Sequence, residues 1–67
     1  MNILGERLKE LRLEQNLSTH KLAKLIDFSN ASISRWENGK SDIKASELVK
    51  FCKFFKVSAD YLLGFID

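Results

Sequence analysis

Apolar residues recur along this chain at spacings of three, four and five. Leu4, Leu8 and Leu11 step by four and three, which places them on one face of a helix. Glu6, Glu10 and Glu14 step by four on another face and read as its solvated stripe. That helix is predicted to stop near Asn16, a residue type that tolerates the left-handed conformation after a helix end. Three further starts share one pattern: Leu17-Ser18 followed by Leu22, Phe28-Ser29 followed by Ile33, and Val57-Ser58 followed by Leu62. An apolar residue precedes a serine, and a second apolar residue lies five positions after the first. This is the hydrophobic staple, with the serine hydroxyl accepting from a free backbone N–H of the first turn.

Ile43 and Leu48 repeat the spacing with Lys44 in the cap position, so a fourth start near Ala45 is expected to be poorly capped. Its core face is expected to be Leu48, Phe51, Cys52 and Phe55. The pattern predicts five helices, at roughly 3–15, 19–26, 30–38, 45–55 and 59–65. No linker or low-complexity segment interrupts them, and Asp42 lies in the longest loop.

Composition narrows the reading. The chain has 67 residues, the size of one small domain, 1–67. Hydrophobic residues make up 45%, which excludes a disordered tail. There is no proline and there are three glycines, which favours helices. Cys52 is the single cysteine, so no intramolecular disulfide forms, which fits a reducing compartment. No apolar run approaches the roughly 20 residues of a membrane span, and the N-terminal region lacks an apolar signal core. A cytoplasmic protein without a membrane partner is expected. The formal net charge is only +2, so a nucleic-acid partner must be sought in where the charges lie.

The stretch FSNASISRWENGK, residues 28–40, supplies that placement. Only Asp27, Phe28 and Ser29 separate the second and third predicted helices. A short turn between two short stapled helices is the helix-turn-helix arrangement, whose second helix enters the DNA major groove. Ile33 and Trp36 form the inward face of the third helix, with Trp36 a core anchor. Asn30, Ala31, Ser34 and Arg35 lie elsewhere on its surface. Small residues leave room for the groove wall, and Asn and Arg pair with base edges. The plainer alternative is that Asn30 and Ser32 only favour the helix start and Arg35 is a solvated charge.

Catalytic and metal chemistry find little support. His20 and Cys52 are the only residues of their types and fall on different predicted helices. No two ligands have zinc spacing, and no glycine-rich phosphate loop is present. Neither an enzyme nor a cofactor is expected. His20 reads as solvated and Cys52 as a core filler.

Taken together, LGERLKELR, LSTHKLAKLI, SISRWENGK and VSADYLLG closely resemble the phage-repressor and Cro-type helix-turn-helix family, also called the xenobiotic-response-element type. The resemblance runs from about Leu4 to Gly64, nearly the whole chain. It implies an all-α, compact, lambda-repressor-like bundle of five helices that binds double-stranded operator DNA as a transcriptional regulator, expected to be a repressor and usually a homodimer. It places Asn30, Ala31 and Arg35, with a contribution from Ser32, at base-reading positions. It places Ser18 and Thr19, and separately Asn38 and Lys40 with nearby backbone N–H groups, against phosphates. Arg12 and Glu37 match the pair that joins the first helix to the end of the third. The sequence departs from the family at Thr19, where glutamine is frequent, at Asp27, where glycine is frequent, and at Ile43, where proline is common.

A homodimer surface is expected at the fifth helix and its tail, where Tyr61, Phe65 and Ile66, extended by Phe54, gather apolar groups. Two other readings share the resemblance. One is a protein-interaction module of antitoxin or anti-repressor type, and the other is the excised DNA-binding domain of a longer repressor.

Overall fold

The first backbone feature to fix the chain's path is a series of three serine caps. The computed structural model describes residues 2–67, and its helices are α1 (Ile3–Glu14), α2 (Thr19–Ile26), α3 (Asn30–Glu37), α4 (Ala45–Phe55) and α5 (Ala59–Leu63). Ser18 Oγ accepts from the Lys21 N–H at 3.0 Å, Ser29 Oγ from the Ser32 N–H at 3.0 Å, and Ser58 Oγ from the Tyr61 N–H at 3.1 Å. In each staple the inner member, Leu22, Ile33 or Leu62, is buried. The outer members Leu17, Phe28 and Val57 pack against that core.

α4 starts better than its sequence suggests. Lys44 has no side-chain acceptor, but the Glu47 carboxylate accepts from the Lys44 backbone N–H at 2.8 Å, the return half of a capping box. α5 ends at Leu63, short of the expected residue 65. Gly64 takes the left-handed conformation at φ 87°. The Phe65 and Gly64 N–H groups then close back on Asp60 and Tyr61 carbonyls at 2.9 and 3.2 Å, a glycine-type helix stop.

The core is Leu8, Leu22, Ala23, Ile26, Ile33, Trp36, Phe51, Phe55 and Leu62. Phe28 meets Trp36 edge-on at 5.0 Å, and Trp36 meets Phe51 edge-on at 5.5 Å, an arrangement that aligns ring edges with ring faces. Cys52 is half-buried and packs against the edge of the core. It lies about 100° around the helix from Phe51, off the direction that Phe51 and Phe55 share.

α1 packs on α3 and α5, and α4 packs on α5 and α2. The α1–α3 contact is unusually close at one point. Asn2 Oδ1 accepts from the Gly5 N–H at 3.1 Å, while Asn2 Nδ2 donates to the Glu37 carbonyl at 3.1 Å. One side chain thus caps the start of α1 and the end of α3. A Cβ at Gly5 would lie 2.5 Å from the Trp36 carbonyl oxygen and 2.6 Å from that of Glu37. Glycine is what allows the two helices to meet there.

Candidate nucleic-acid interface

The turn between α2 and α3 rests on Asp27, which is left-handed at φ 63°. That conformation is accessible to Asp, and the Phe28 N–H closes the turn on the Ala23 carbonyl at 3.1 Å. Phe28 then drops into the aromatic core, and Lys50 Nζ sits 4.3 Å above its ring on the outside. The turn is therefore covered from both sides, and α3 is held firmly relative to α2.

On α3, Ile33, Trp36 and Glu37 are buried, while Ala31, Ser34 and Arg35 are exposed and Ser32 is half-buried. Ser29 Oγ donates to Ser32 Oγ at 2.8 Å, and Arg35 Nη2 donates to the same Ser32 oxygen at 3.4 Å. This ladder at i, i+3 and i+6 orients the exposed guanidinium along the outer face of α3. Asn30 differs from the expectation. Its Oδ1 is shut off from solvent and has no hydrogen-bond partner. An asparagine reads adenine through its oxygen and its amide together, so Asn30 must rotate outward before it presents both.

The expected phosphate-contacting groups lie at two helix ends. Ser18 is exposed with its hydroxyl engaged in the α2 cap, and Thr19 beside it is half-buried. At the exit of α3, Asn38 Nδ2 donates to the Ser34 carbonyl at 2.8 Å. The backbone N–H groups of Asn38, Gly39 and Lys40 donate to the carbonyls of Ser34, Trp36 and Arg35 at 3.1, 3.2 and 2.9 Å. They are thus committed within the helix end, where the Asn38 and Lys40 side chains are both exposed.

Behind α3 stands the one ion pair among the described residues. Arg12 Nε meets Glu37 Oε2 at 2.7 Å, and Arg12 Nη2 meets Glu37 Oε1 at 3.0 Å. The remaining Arg12 nitrogen, Nη1, donates to the Leu17 carbonyl at 2.7 Å. The hydrogen bond to Glu37 holds the guanidinium above its ordinary pKa despite the opposing effect of burial. One side chain therefore joins α1, the α1–α2 turn and the end of α3.

In the tail after α5, Phe65 is 76% exposed and Ile66 52% exposed. Tyr61 is half-buried beneath the Arg7 guanidinium, which lies 4.5 Å from its ring centre. Arg7 also donates to the Tyr61 carbonyl and, at 2.6 Å, to the Ile66 carbonyl. The tail is thus pinned by its backbone while its apolar side chains face outward. Phe54, half-buried and edge-on to Phe55 at 5.0 Å, borders a groove between α2 and α4.

Sequence reasoning missed Asn2, Gly5, the Ser29–Ser32–Arg35 ladder and the Arg7 clasp. Asn2 directly before a helix is a cap signal; its long-range half had none. His20 is exposed. Among the described residues there is no cluster of His, Cys, Asp and Glu suited to a metal and no helix long and apolar enough to cross a membrane.

Comparison with known proteins places this geometry. The sequence pattern of the family described as "Helix-turn-helix" matches residues 8–62. The HTH-type transcriptional activator BcrR of Enterococcus faecalis is 40% identical over 60 residues, 90% of this chain and 29% of BcrR. The HTH-type transcriptional regulator ImmR of Bacillus subtilis is 34% identical over 61 residues, 91% of this chain and 48% of ImmR. The chain thus spans less than half the length of these relatives. The crystal structure of the P22 c2 repressor protein in complex with a synthetic operator superposes with a TM-score of 0.83 at 29% identity, covering 92% of this chain and 94% of that one.

Proposed function

The chain belongs to the helix-turn-helix family in its phage-repressor and Cro branch, and from that premise we propose that it binds double-stranded operator DNA sequence-specifically and regulates transcription, as a repressor, by occupying its site. In this reading residues 1–67 act as one DNA-binding domain with α3 in the major groove. Arg35, Ala31 and Ser32 face the bases, joined by Asn30 once its side chain swings outward. Ser18, Thr19, Asn38 and Lys40 lie against phosphates. Two copies pair through α5 and the tail, at Tyr61, Phe65 and Ile66, on an inverted repeat. The protein acts in the cytoplasm, where the DNA is.

The observation that carries this reading is the combination on α3. Its outer face is small and polar with one oriented guanidinium, and the chain as a whole is similar in fold to a repressor crystallised with its operator. Arg–base contacts specify, while phosphate contacts position. Selection of bound duplexes from a random pool, with nonspecific competitor present, tests it. An enriched inverted repeat is expected. Failure to retain any duplex at low salt would overturn the reading in favour of a protein-interaction module.

A further inference from the structure

Two exposed surfaces outside the α3 face complement each other. The first is the groove between α2 and α4, of about 340 Å³, lined by Leu25, Ile26, Lys50, Lys53 and Phe54. Its apolar floor includes Leu25, which is 54% exposed. α2 carries no acidic residue, and Lys21 and Lys24 are exposed on it. The acidic residue of α4, Glu47, is engaged at the Lys44 N–H. The groove is an apolar strip edged by ammonium groups.

The second surface is the outer face of α1. Glu6, Glu10 and Glu14 are exposed there, together with Leu13 at 52% exposure. Leu13 lies seven residues after Glu6, hence beside it on the face; Lys9 flanks it on one side, and Arg7, half-buried and engaged at the Tyr61 and Ile66 carbonyls, borders the carboxylates on the other. A row of carboxylates with a large exposed apolar side chain at its border complements an apolar groove edged by lysines. The spacing also agrees, because Glu10 and Glu14 are one turn apart on α1 and Lys50 and Lys53 one turn apart on α4.

We propose that α1 of one copy seats its acidic face, with Leu13 at its edge, in the α2–α4 groove of a second copy. α1 packs on α3 and α5, whereas the groove belongs to α2 and α4, so the two surfaces lie on different sides of the molecule. The contact is therefore head-to-tail and leaves a free groove and a free acidic face on each pair. It is small, so it is weak in solution. It leaves the outer face of α3 uncovered, and neighbouring copies on one duplex would make it at high effective concentration. This goes beyond the DNA-binding reading and does not depend on it.

Charge reversal without DNA tests the contact. Sedimentation velocity at low salt should show wild-type chains associating with rising concentration, and association should weaken at least about tenfold when salt is raised to about 0.5 M. Glu10→Lys/Glu14→Lys alone and Lys50→Glu/Lys53→Glu alone should each lose the salt-sensitive part. A one-to-one mixture of the two should regain it, because an intact groove then meets an intact acidic face. Pairing through the tail is common to all these samples and cancels in the comparison. Far-UV circular dichroism checks that each variant folds; if a double reversal does not, Glu14→Lys and Lys53→Glu carry the same test. Absence of salt-sensitive association in the wild type, its survival in either variant, or no recovery on mixing would overturn the proposal. So would a loss of DNA affinity in Lys50→Glu/Lys53→Glu with self-association unchanged, which would assign these lysines to phosphates.

Discussion

Arg12 and Glu37 form a two-pronged pair, 2.7 and 3.0 Å between their heavy atoms, with each residue less than a tenth exposed. The arginine fork matches the carboxylate geometry, and its third nitrogen is taken by the Leu17 carbonyl, so every guanidinium nitrogen has a partner. Removing one partner strands the other charge where water cannot reach it. Glu37→Ala is expected to lower stability by about 3–5 kcal/mol and the melting temperature by more than about 10 °C. A variant melting with the parent would make the pair ornamental.

Gly5 gives a prediction of steric rather than electrostatic origin. An added methyl group would fall 2.5 Å from the Trp36 carbonyl oxygen and 2.6 Å from that of Glu37. Neither carbonyl retreats without unwinding the end of α3. Gly5→Ala is expected to destabilise by about 1–3 kcal/mol, although alanine is the better helix former. Thermal melts decide it: a more stable Gly5→Ala chain would mean that α1 slides away at no cost.

How much of this was legible in the sequence depended on range. The three serine caps and their staples are contained within six residues, so Leu17, Phe28 and Val57 announced α2, α3 and α5. The apolar spacing carries the fifth helix to residue 65, one past Gly64, because periodicity alone does not mark where a helix stops, yet the left-handed backbone of Gly64 ends α5. Contacts across more than thirty residues left no local trace. Asn2 on the Glu37 carbonyl and Arg7 on the Ile66 carbonyl depend on how helices are placed, not on how each one forms. The inward turn of Asn30 Oδ1 is of the same kind.

Base reading and phosphate contact separate in their response to mutation. Arg35 is exposed and oriented by Ser32. Arg35→Ala is expected to cost about 1–3 kcal/mol of binding and to relax selectivity at one position. Lys40→Ala should weaken binding to all duplexes alike and flatten the salt slope by about one unit. Binding titrations on a selected site and its single-position variants, at several salt concentrations, distinguish the two. Unchanged selectivity in Arg35→Ala would remove it from the base-reading set.

Cys52 supplies a pH-dependent prediction. Burial pushes its thiol above the ordinary cysteine pKa, opposed by a weaker backbone hydrogen bond. Because the folded state holds the proton more tightly, the stability this group contributes is intact below the ordinary pKa. It declines as pH rises through and beyond that value. The thiolate is the reactive form, so iodoacetamide near neutral pH should label the folded chain more slowly than the urea-unfolded one. The folded rate should climb to higher pH than the unfolded rate before levelling. Equal rates and equal pH profiles would contradict the partial shielding.

Assembly on DNA carries the last prediction. A single recognition helix covers a few base pairs, too few to find one site among a genome of competitors. A two-fold pair placing its α3 helices roughly 34 Å apart reads two successive major grooves and resolves this. Phe65 and Ile66 are exposed to 76% and 52%, and neighbouring Leu63 adds to an apolar surface that water covers poorly. Arg7 anchors the tail backbone through the Tyr61 and Ile66 carbonyls, so the patch is presented in a fixed shape instead of trailing. Phe65→Ser/Ile66→Ser is therefore expected to fold normally, to lose two-to-one binding on an inverted repeat, and to retain one-to-one binding on a half-site. Arg7→Ala should weaken the pairing less, since it frees the tail without deleting its side chains. Sedimentation with a selected duplex measures the stoichiometry directly. A wild-type complex saturating at one chain per palindromic site would refute pairing through α5 and its tail.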